Sequence, residues 1–295
     1  MPELPEVETI ARGLAKRITG DVIESVWLGQ KREPLKSPAA EIASVLEHSR
    51  IAEVRRMGKH LVFDLNHDLR VVRAPSRAKG RKLKLKQEQP VPSLSQPAQW
   101  IVHLGMTGRL QVCDPQTEVA KHTHAILKLS SGRELRFVDP RRFGRLSVAS
   151  SAGFDATGVE PLEVGLDRFV ELFRGRKTPI KSALLNQKLL RGVGNIYADE
   201  SLFRAGIRPR RRAASITHEQ LRKLYLSIQE VLKEAIALGG SSVSDYVNAD
   251  GEEGFFQLQH RVYGREGESC LVCKAPVKRV VIAGRSSHYC PKCQK

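Results

Sequence analysis

The chain has 295 residues, longer than the usual single domain of roughly 100 to 200, so we expect two or more hydrophobic cores. Lys and Arg number 49 against 32 for Asp and Glu, and the formal net charge of +17 favours a nucleic-acid partner. The sequence has neither an apolar signal segment near its start nor a run approaching the roughly 18 apolar residues of a membrane span, so we expect a cytoplasmic protein with no membrane partner.

The N-terminal half predicts a β-rich domain that opens with a helix. Apolar residues recur at helical spacing over 7–18, with Pro5 suited to the first turn and Gly20 to the C-terminal end. Short β-prone runs follow between turn residues: VIESVWL, HLVFDL, WIVHLGM, HAILKL, ELRFVD and RLSVAS. The SSG at 130–132 is typical of a hairpin turn. We therefore expect residues 1–150 to form a β-rich domain with one or two helices.

A basic stretch at 73–98 interrupts this pattern. It mixes Lys, Arg, Ser and Gln with four prolines and has no periodicity, which indicates a flexible insertion. Residues 70–86 hold eight basic side chains and no acidic one, yet the chain is still at +9 without them. The insertion either adds nonspecific phosphate contacts or is a solvated loop. We favour the first, which predicts that its deletion lowers the salt dependence of DNA binding.

The pattern becomes helical in the second half. Residues 151–165 are rich in glycine and contain proline, as in a linker. Over 166–260 four segments have helical character: LDRFVELFRG, TPIKSALLNQKLL, NIYADESLFRAG and THEQLRKLYLSIQEVLKEAIALGG. Thr217 and Gln220 fit a capping box at the start of the last one. These features predict an α-helical bundle.

Four of the five cysteines fall in the last 26 residues, and their spacing is the strongest single motif in the chain. They are Cys270, Cys273, Cys290 and Cys293. The pattern C-x2-C-x16-C-x2-C suits tetrahedral zinc held by four thiolates, with VKRVVIAGRSSHY forming a hairpin between the pairs. Four thiolates complete the coordination shell, so we expect one structural zinc ion in a ribbon at 261–295. Cys113, at the end of a strand, is expected to be a packing residue.

The opening MPELPEVET suggests a reactive chain terminus. If Met1 is removed, as is usual before proline, the new terminus is the secondary amine of Pro2. An α-amine has a pKa of about 7.7 to 8.0 against about 10.4 for lysine, so it is a nucleophile near its working pH. Its attack on an aldehyde carbon gives an iminium, an electron sink for elimination, and Glu3 and Glu6 are near enough in sequence to move protons. This chemistry suits an abasic sugar.

Six motifs together resemble bacterial formamidopyrimidine-DNA glycosylase. They are PELPEVE at 2–8, HLGMTG at 103–108, DPRRFG at 139–144, GVGNIYADE at 192–200, VYGREGESC at 262–270 and GRSSHYCPKCQ at 284–294. The likeness covers nearly the whole chain apart from the insertion. It implies an α+β protein with an N-terminal two-sheet β-sandwich and flanking helices, a C-terminal helix-two-turn-helix bundle, and a four-cysteine zinc ribbon.

The same resemblance implies an activity and residue roles. Enzymes of this family excise 8-oxoguanine and formamidopyrimidines from damaged double-stranded DNA in base excision repair, then cut the strand by β- and δ-elimination. Pro2 matches the Schiff-base nucleophile and Glu3 the proton donor. Lys59 matches a lysine associated with β-elimination and a phosphate contact. Arg285 matches an arginine that grips the phosphates beside the lesion and is linked to δ-elimination.

Further matches concern DNA binding. Moving a base out of the duplex costs a few kcal/mol of free energy, and the space that it leaves in the stack must be filled. By resemblance Met106, Arg141 and Phe143 fill it, as an apolar wedge, a hydrogen-bonding guanidinium and a stacking aromatic ring. The other matched DNA contacts are His122 and Lys177, with Lys181 and Asn195 as phosphate ligands. Two glycines before a helix start give Asn195 an independent argument, since free N–H groups there favour a phosphate.

Two other functions stay open at this point. Endonuclease VIII shares the nucleophile and architecture but prefers oxidised pyrimidines, and there we would expect a PEGPE opening and no DPRRFG loop. A noncatalytic zinc-ribbon DNA-binding protein would have no use for the combination of Pro2, Glu3 and Lys59. The stretch 248–265 resembles the family's lid over the flipped base, and we assign no base-reading residue in it. By resemblance a monomer is expected.

Overall fold

The computed structural model describes residues 1–67, 97–150, 153–242 and 254–295. The predicted insertion at 73–98 lies outside the described residues, except that Pro97 and Ala98 already belong to a strand. Residues 248–253 of the predicted lid also lie outside them. Among the helices that are described, none is both long and apolar enough to cross a membrane.

The N-terminal part is a sandwich of two antiparallel four-stranded sheets with flanking helices. The helices are α1 (Leu4–Ile18) and α2 (Ala39–Leu46). The strands are β1 (Ile23–Leu28), β2 (Ser49–Met57), β3 (His60–His67), β4 (Pro97–His103), β5 (Arg109–Cys113), β6 (Thr123–Leu129), β7 (Glu134–Val138) and β8 (Arg145–Ser150). One sheet has the order β1-β6-β7-β5 and the other β2-β3-β4-β8. The predicted α+β sandwich is confirmed.

The apolar stripe of α1 explains how this sandwich is closed. Ile10 and Leu14 are almost fully buried and share one core with Phe63, Trp100 and Phe137 from the two sheets. A buried side chain of this size stabilises the fold by roughly 1.5 to 3 kcal/mol. The helix begins at Leu4, with Pro5 in its first turn as predicted, and Leu4 itself packs outside this core.

The predicted hairpin turn and the predicted helix cap are both present. Gly132 has a φ of +79° and donates its N–H to Leu129 O at 2.8 Å, which closes the turn between β6 and β7. Thr217 Oγ1 accepts from Gln220 N, and Gln220 Oε1 accepts from Thr217 N, each at 3.2 Å. These two bonds form the capping box and fix where the longest helix begins.

The second part of the chain is helical. Its helices are α3 (Leu166–Phe173), α4 (Ile180–Leu184), α5 (Asn195–Arg204) and α6 (His218–Ala237). α4 is shorter than the predicted 178–190, since Asn186 Oδ1 accepts from Lys188 N at 3.0 Å and this local turn competes with the helix. Apolar residues of all four helices form a second core, which also takes in Leu4 from α1.

The C-terminal part is a small hairpin with its own core. Strands β9 (Lys278–Ile282) and β10 (Arg285–Tyr289) pair antiparallel, as the sequence predicts. The buried residues around them are few, chiefly Phe203, Val262 and Val277 together with the cysteines. So small an apolar cluster indicates that this part depends on its metal site for stability.

Candidate active site

The first residues of the chain are anchored between the sandwich and the helical part. Pro2 and Glu3 are buried, whereas Met1 is 47% exposed. Glu3 Oε1 accepts from Ile196 N, at the start of α5, at 3.3 Å. Chain ends are usually frayed, whereas this one is packed and hydrogen-bonded.

Two glycines leave the room that this arrangement needs. Leu4 N donates to Gly192 O at 3.0 Å, and a Cβ atom on Gly192 would lie 2.7 Å from Leu4 Cδ1. A Cβ on Gly194 would overlap with the Glu3 carboxyl group. Real Cβ atoms essentially never approach other atoms within 3.0 Å. The GVGN motif therefore makes space for the chain terminus, a reason that its sequence alone does not reveal.

A pair of buried carboxyl groups lies at this terminus. Glu6 accepts from Glu3 N at 2.7 Å, from Ser241 N at 2.8 Å and from the Tyr197 hydroxyl. Glu3 Oε2 is buried and makes no hydrogen bond to the described residues. Burial raises the pKa of Glu3 to about 7, although the positive charge of Lys59 opposes this shift. At neutral pH Glu3 can therefore hold or release a proton.

Lys59 lies in the turn between β2 and β3 and is 8% exposed. Burial lowers the pKa of its ammonium group, and the negative charges of Glu3 and Glu6 partly restore it. The segment before α3 fixes this turn, because Glu160 Oε1 accepts from Gly58 N at 2.7 Å. Arg56 also pairs with Glu160 at 2.8 Å. Lys59 is thus held close enough to the chain terminus for its charge to act on Glu3.

Arg285 begins β10 and is exposed. Its positive charge also contributes to the lowered pKa of Lys59, which shows that the two cations are close enough to interact electrostatically. The structure thus brings Glu3 and Lys59 of the N-terminal part together with Arg285 of the C-terminal hairpin, close enough for their charges to interact, and Pro2 adjoins Glu3.

Two loops of the sandwich present exposed side chains beside each other. Asp139 is fully buried and accepts from Thr107 Oγ1 at 2.6 Å and from Gly144 N at 2.7 Å. It thereby joins the loop of Met106 to the loop of Phe143. These two side chains are 41% and 52% exposed, so neither is a core residue.

The Arg141 guanidinium carbon lies 4.9 Å from the centroid of the Phe143 ring, within cation–π range. His122 lies next to this loop, because its carbonyl accepts from Asp139 N at 2.9 Å. The predicted group of Met106, Arg141, Phe143 and His122 is therefore contiguous. The sequence did not single out Asp139, although its position at the start of DPRRFG is a usable signal.

The remaining predicted DNA contacts divide into two cases. Lys177 is exposed on the loop before α4, and Asn195 is the first residue of α5. The donor next to Asn195, Ile196 N, faces the Glu3 carboxyl group rather than an empty anion site. Lys181 is fully buried, and its Nζ lies 2.6 Å from Asp199 Oδ1. The structure therefore contradicts the phosphate contact predicted for Lys181, because a buried ammonium that is paired with a carboxylate offers no surface to DNA.

The four cysteines of the C-terminal part converge on one point. The sulfur atoms of Cys270, Cys273, Cys290 and Cys293 all lie within 4.8 Å of one another. Four sulfurs at about 2.3 Å from a central zinc ion would be about 3.8 Å apart, so the set fits tetrahedral coordination. Two of these residues are buried and two are half-buried, and four thiolates complete a tetrahedral shell with no position left for a substrate. These cysteines hold one structural zinc ion.

Cys113 ends β5, away from this cluster, and is half-buried. Burial raises the pKa of its thiol, so it is a poor nucleophile. This environment agrees with the predicted packing role.

Glu200 attaches the zinc ribbon to α5, a contact that the sequence did not predict. Its carboxylate accepts from the backbone N–H groups of residues 261, 262 and 263 at 2.9 to 3.0 Å.

Comparison with known proteins agrees with this geometry over the whole chain. Three family profiles match in order: formamidopyrimidine-DNA glycosylase N-terminal domain at 1–146, formamidopyrimidine-DNA glycosylase H2TH domain at 157–247, and zinc finger found in FPG and IleRS at 267–295. A formamidopyrimidine-DNA glycosylase of Solibacter usitatus is 42% identical and one of Gluconobacter oxydans 39% identical, each over the full length of both chains.

Solved structures give the same result. The MutM (Fpg) protein of Thermus thermophilus is 39% identical, with a TM-score of 0.80 over 99% of this chain and 98% of that one. The Lactococcus lactis Fpg in complex with abasic-site DNA is 31% identical, with a TM-score of 0.83 over 99% of each chain. A mutant of the Lactococcus lactis enzyme with Fapy-dG DNA reaches 0.84 over both full chains, again at 31% identity. The chain thus belongs to the formamidopyrimidine-DNA glycosylase family, whose members are DNA glycosylases with AP lyase activity.

Proposed function

We propose that this protein excises oxidised purines, such as 8-oxoguanine and formamidopyrimidines, from double-stranded DNA in the bacterial cytoplasm and then cuts the strand by β- and δ-elimination. The observation that carries this proposal is the buried Pro2–Glu3 terminus beside Lys59 and Arg285. The structural relatives with abasic-site DNA and with Fapy-dG DNA support the substrate class.

The first step is displacement of the base by the amine of Pro2 in the mature chain, from which Met1 has been removed. The exposed position of Met1 agrees with its removal. The Pro2 nitrogen forms a bond to C1′ as the bond from C1′ to the base breaks, and the base leaves with that electron pair and takes up a proton. Glu3, whose pKa is about 7, gives a proton to the ring oxygen as the sugar opens to the iminium.

Elimination then follows from the iminium. Loss of a proton from C2′ sends electrons toward the positive nitrogen and expels the 3′ phosphate, which is the β-elimination. A second elimination expels the 5′ phosphate. The ammonium of Lys59 and the guanidinium of Arg285 stabilise the phosphate charge in these steps. Burial lowers the pKa of Lys59, and the nearby carboxyl groups of Glu3 and Glu6 favour its ammonium form, the form that this role requires.

Base removal also requires the nucleotide to leave the duplex. Met106, Arg141 and Phe143 are exposed on adjoining loops, and a thioether, a guanidinium and an aromatic ring are the groups that can occupy the space left behind. His122, Lys177 and Asn195 supply further contacts to the DNA backbone. One chain carries all these groups, so we propose that the monomer is the active species.

Borohydride trapping tests the proposal directly. With a duplex that contains one 8-oxoguanine, we expect a covalent protein–DNA adduct that is lost in Pro2→Gly. Pro115→Gly, in an exposed loop far along the chain from the terminus, is the matched control and should form the adduct normally. A wild-type protein that binds the duplex without forming an adduct would instead be a noncatalytic zinc-ribbon binder.

Substrate preference separates the two enzyme classes that share this architecture. We expect faster release of 8-oxoguanine than of an oxidised pyrimidine such as 5-hydroxycytosine from otherwise identical duplexes. Arg141 and Phe143 in the DPRRFG loop support the purine enzyme, as does the PELPE opening. A clear preference for the pyrimidine would assign the protein to the endonuclease VIII type of activity.

A further inference from the structure

A buried ion pair joins the helical part to the zinc hairpin next to Arg285. Lys181 from α4 and Asp199 from α5 both have fully buried side chains, and Lys181 Nζ lies 2.6 Å from Asp199 Oδ1. Lys181 Nζ also donates to the carbonyl oxygen of Ser286 at 2.7 Å. Ser286 directly follows Arg285, so this bond fixes the backbone that carries the guanidinium.

Asp199 holds the same strand at a second point. Its Oδ2 accepts from His288 N at 2.8 Å and lies 3.3 Å from His288 Nδ1. The backbone of β10 is therefore held at Ser286 and at His288, on either side of Ser287. Two fixed points define both the position and the direction of a short strand, whereas one would leave it free to pivot.

The helix that carries Asp199 also carries the contact to the chain terminus. Ile196 N donates to Glu3 Oε1, and Asp199 lies three residues further along α5, or about 4.5 Å along the helix axis. One rigid turn of helix thus relates the carboxyl group of Glu3 to the strand of Arg285. These two residues come from opposite ends of the chain, and α5 sets their relative position.

Stability alone is a weak reason for this ion pair. Burying two charges costs several kcal/mol, and a well-packed apolar pair is often as stable or more so. An apolar pair could neither donate to Ser286 O nor accept from His288 N. We propose that Lys181 and Asp199 are positioning residues that hold Arg285 in the correct position relative to Pro2 and Glu3 for the δ-elimination. This inference rests on the proposed function and adds two residues to it that touch no substrate.

The test uses Asp199→Asn, which keeps the size of the side chain. An amide cannot serve both neighbours, because its NH2 group would face either the Lys181 ammonium or the His288 N–H, and all three are donors. With a duplex that contains a preformed abasic site, we expect the δ-elimination rate to fall about tenfold while the yield of borohydride-trapped adduct stays within about twofold. The ratio of δ to β products is the readout, since a general loss of fold would lower both products together.

Two further variants make the result decisive. Lys181→Met combined with Asp199→Leu removes both charges, and we expect the same fall in δ product with one zinc ion still bound per chain. Glu234→Gln removes the partner of Arg204 at the other end of α5 and should leave the product ratio unchanged. In an Arg285→Ala background, Asp199→Asn should cause little further loss, because both changes act through one group.

An unchanged δ to β ratio in folded, zinc-loaded Asp199→Asn would overturn the positioning role, as would full additivity with Arg285→Ala. The wild-type reaction distinguishes this failure from failure of the proposed function. If wild-type protein forms the adduct and both elimination products, the proposed function stands whatever the variants do. If wild type forms neither, the proposed function itself fails.

Discussion

The carboxyl group of Glu3 packs against the backbone of Gly194 so closely that a Cβ atom there would lie 2.5 Å from Glu3 Oε2 and closer still to Glu3 Cδ. This contact binds the start of the chain to the start of α5. Gly194→Ala should therefore push the Glu3 carboxyl group out of place and reduce base excision by at least a hundredfold, with far less effect on overall fold.

The excision rate under single-turnover conditions measures this effect. Gly165→Ala is the matched control, because Gly165 also precedes a helix and a Cβ there meets nothing within 4 Å. We expect Gly165→Ala to act like wild type. Equal activity of the two variants would show that the position of Glu3 tolerates displacement, against the role given to it here.

Burial of Glu3 makes the stability of the protein depend on pH. Its folded-state pKa of about 7 lies above the ordinary 4.5, so the folded state binds the extra proton and loses stability as pH rises through this window. Glu3→Gln removes this dependence. The free energy of unfolding of Glu3→Gln minus that of wild type should therefore increase by about 3 kcal/mol from pH 4.5 to pH 8. Urea unfolding at the two pH values measures the difference, and a constant difference would contradict it.

The rate of base release should follow a bell-shaped pH profile. The Pro2 amine must be unprotonated, so activity falls as pH drops below the pKa of that amine. Glu3 must carry its proton, so activity falls as pH rises through about 7. Lys59 lowers the pKa of Glu3, and Lys59→Met should therefore move the Glu3 limb to higher pH. Base release, rather than strand cutting, is the quantity to follow, because Lys59 also serves elimination.

The sequence predicts the parts of this molecule that depend on local spacing. The cysteine quartet, the capping box at Thr217 and the turn at Gly132 each follow from residues within a short span. Strand β2 escapes such reasoning because a bulge between Ile51 and Glu53 breaks the alternation of buried and exposed residues. Its remaining apolar positions are too few to show a strand.

The site itself depends on contacts between distant segments, which a sequence pattern does not fix. Lys181 is a surface cation by composition, and only the position of Asp199 in the fold makes it a buried one. Glu200 likewise accepts from backbone N–H groups of another segment, and Asp139 accepts from the Thr107 hydroxyl of another loop. The opening residues suggest a nucleophilic amine at Pro2, but the resemblance to a family supplied the role of Arg285, because a single arginine in a basic hairpin carries no local signal that identifies its chemistry.

Met106 and Phe143 should matter for duplex DNA more than for an abasic site. Replacing Met106 with Ala removes the apolar wedge that offsets part of the cost of extruding a base, so we expect excision of 8-oxoguanine to slow roughly tenfold. Strand cutting at a preformed abasic site should change much less, since no base must be unstacked. Val119→Ala, at another exposed apolar side chain, should leave both rates as in wild type. Equal slowing of the two reactions by Met106→Ala would argue against the wedge.

Removal of the zinc ion should separate the C-terminal hairpin from the rest of the protein. Its apolar core is small, whereas the sandwich and the helical part have large cores of their own. The hairpin therefore draws most of its stability from the metal, and a chelator should unfold residues 267–295 first. Limited proteolysis should cut there while the first two parts stay resistant.

Because Arg285 lies on this hairpin, loss of the metal should abolish δ-elimination and weaken DNA binding before the sandwich unfolds. The Cys290→Ser variant should behave like the chelated protein, and Cys113→Ser, outside the cluster, should retain one zinc ion per chain. If the metal-free protein kept a protease-resistant hairpin and wild-type δ product, the zinc ion would have no part in holding Arg285.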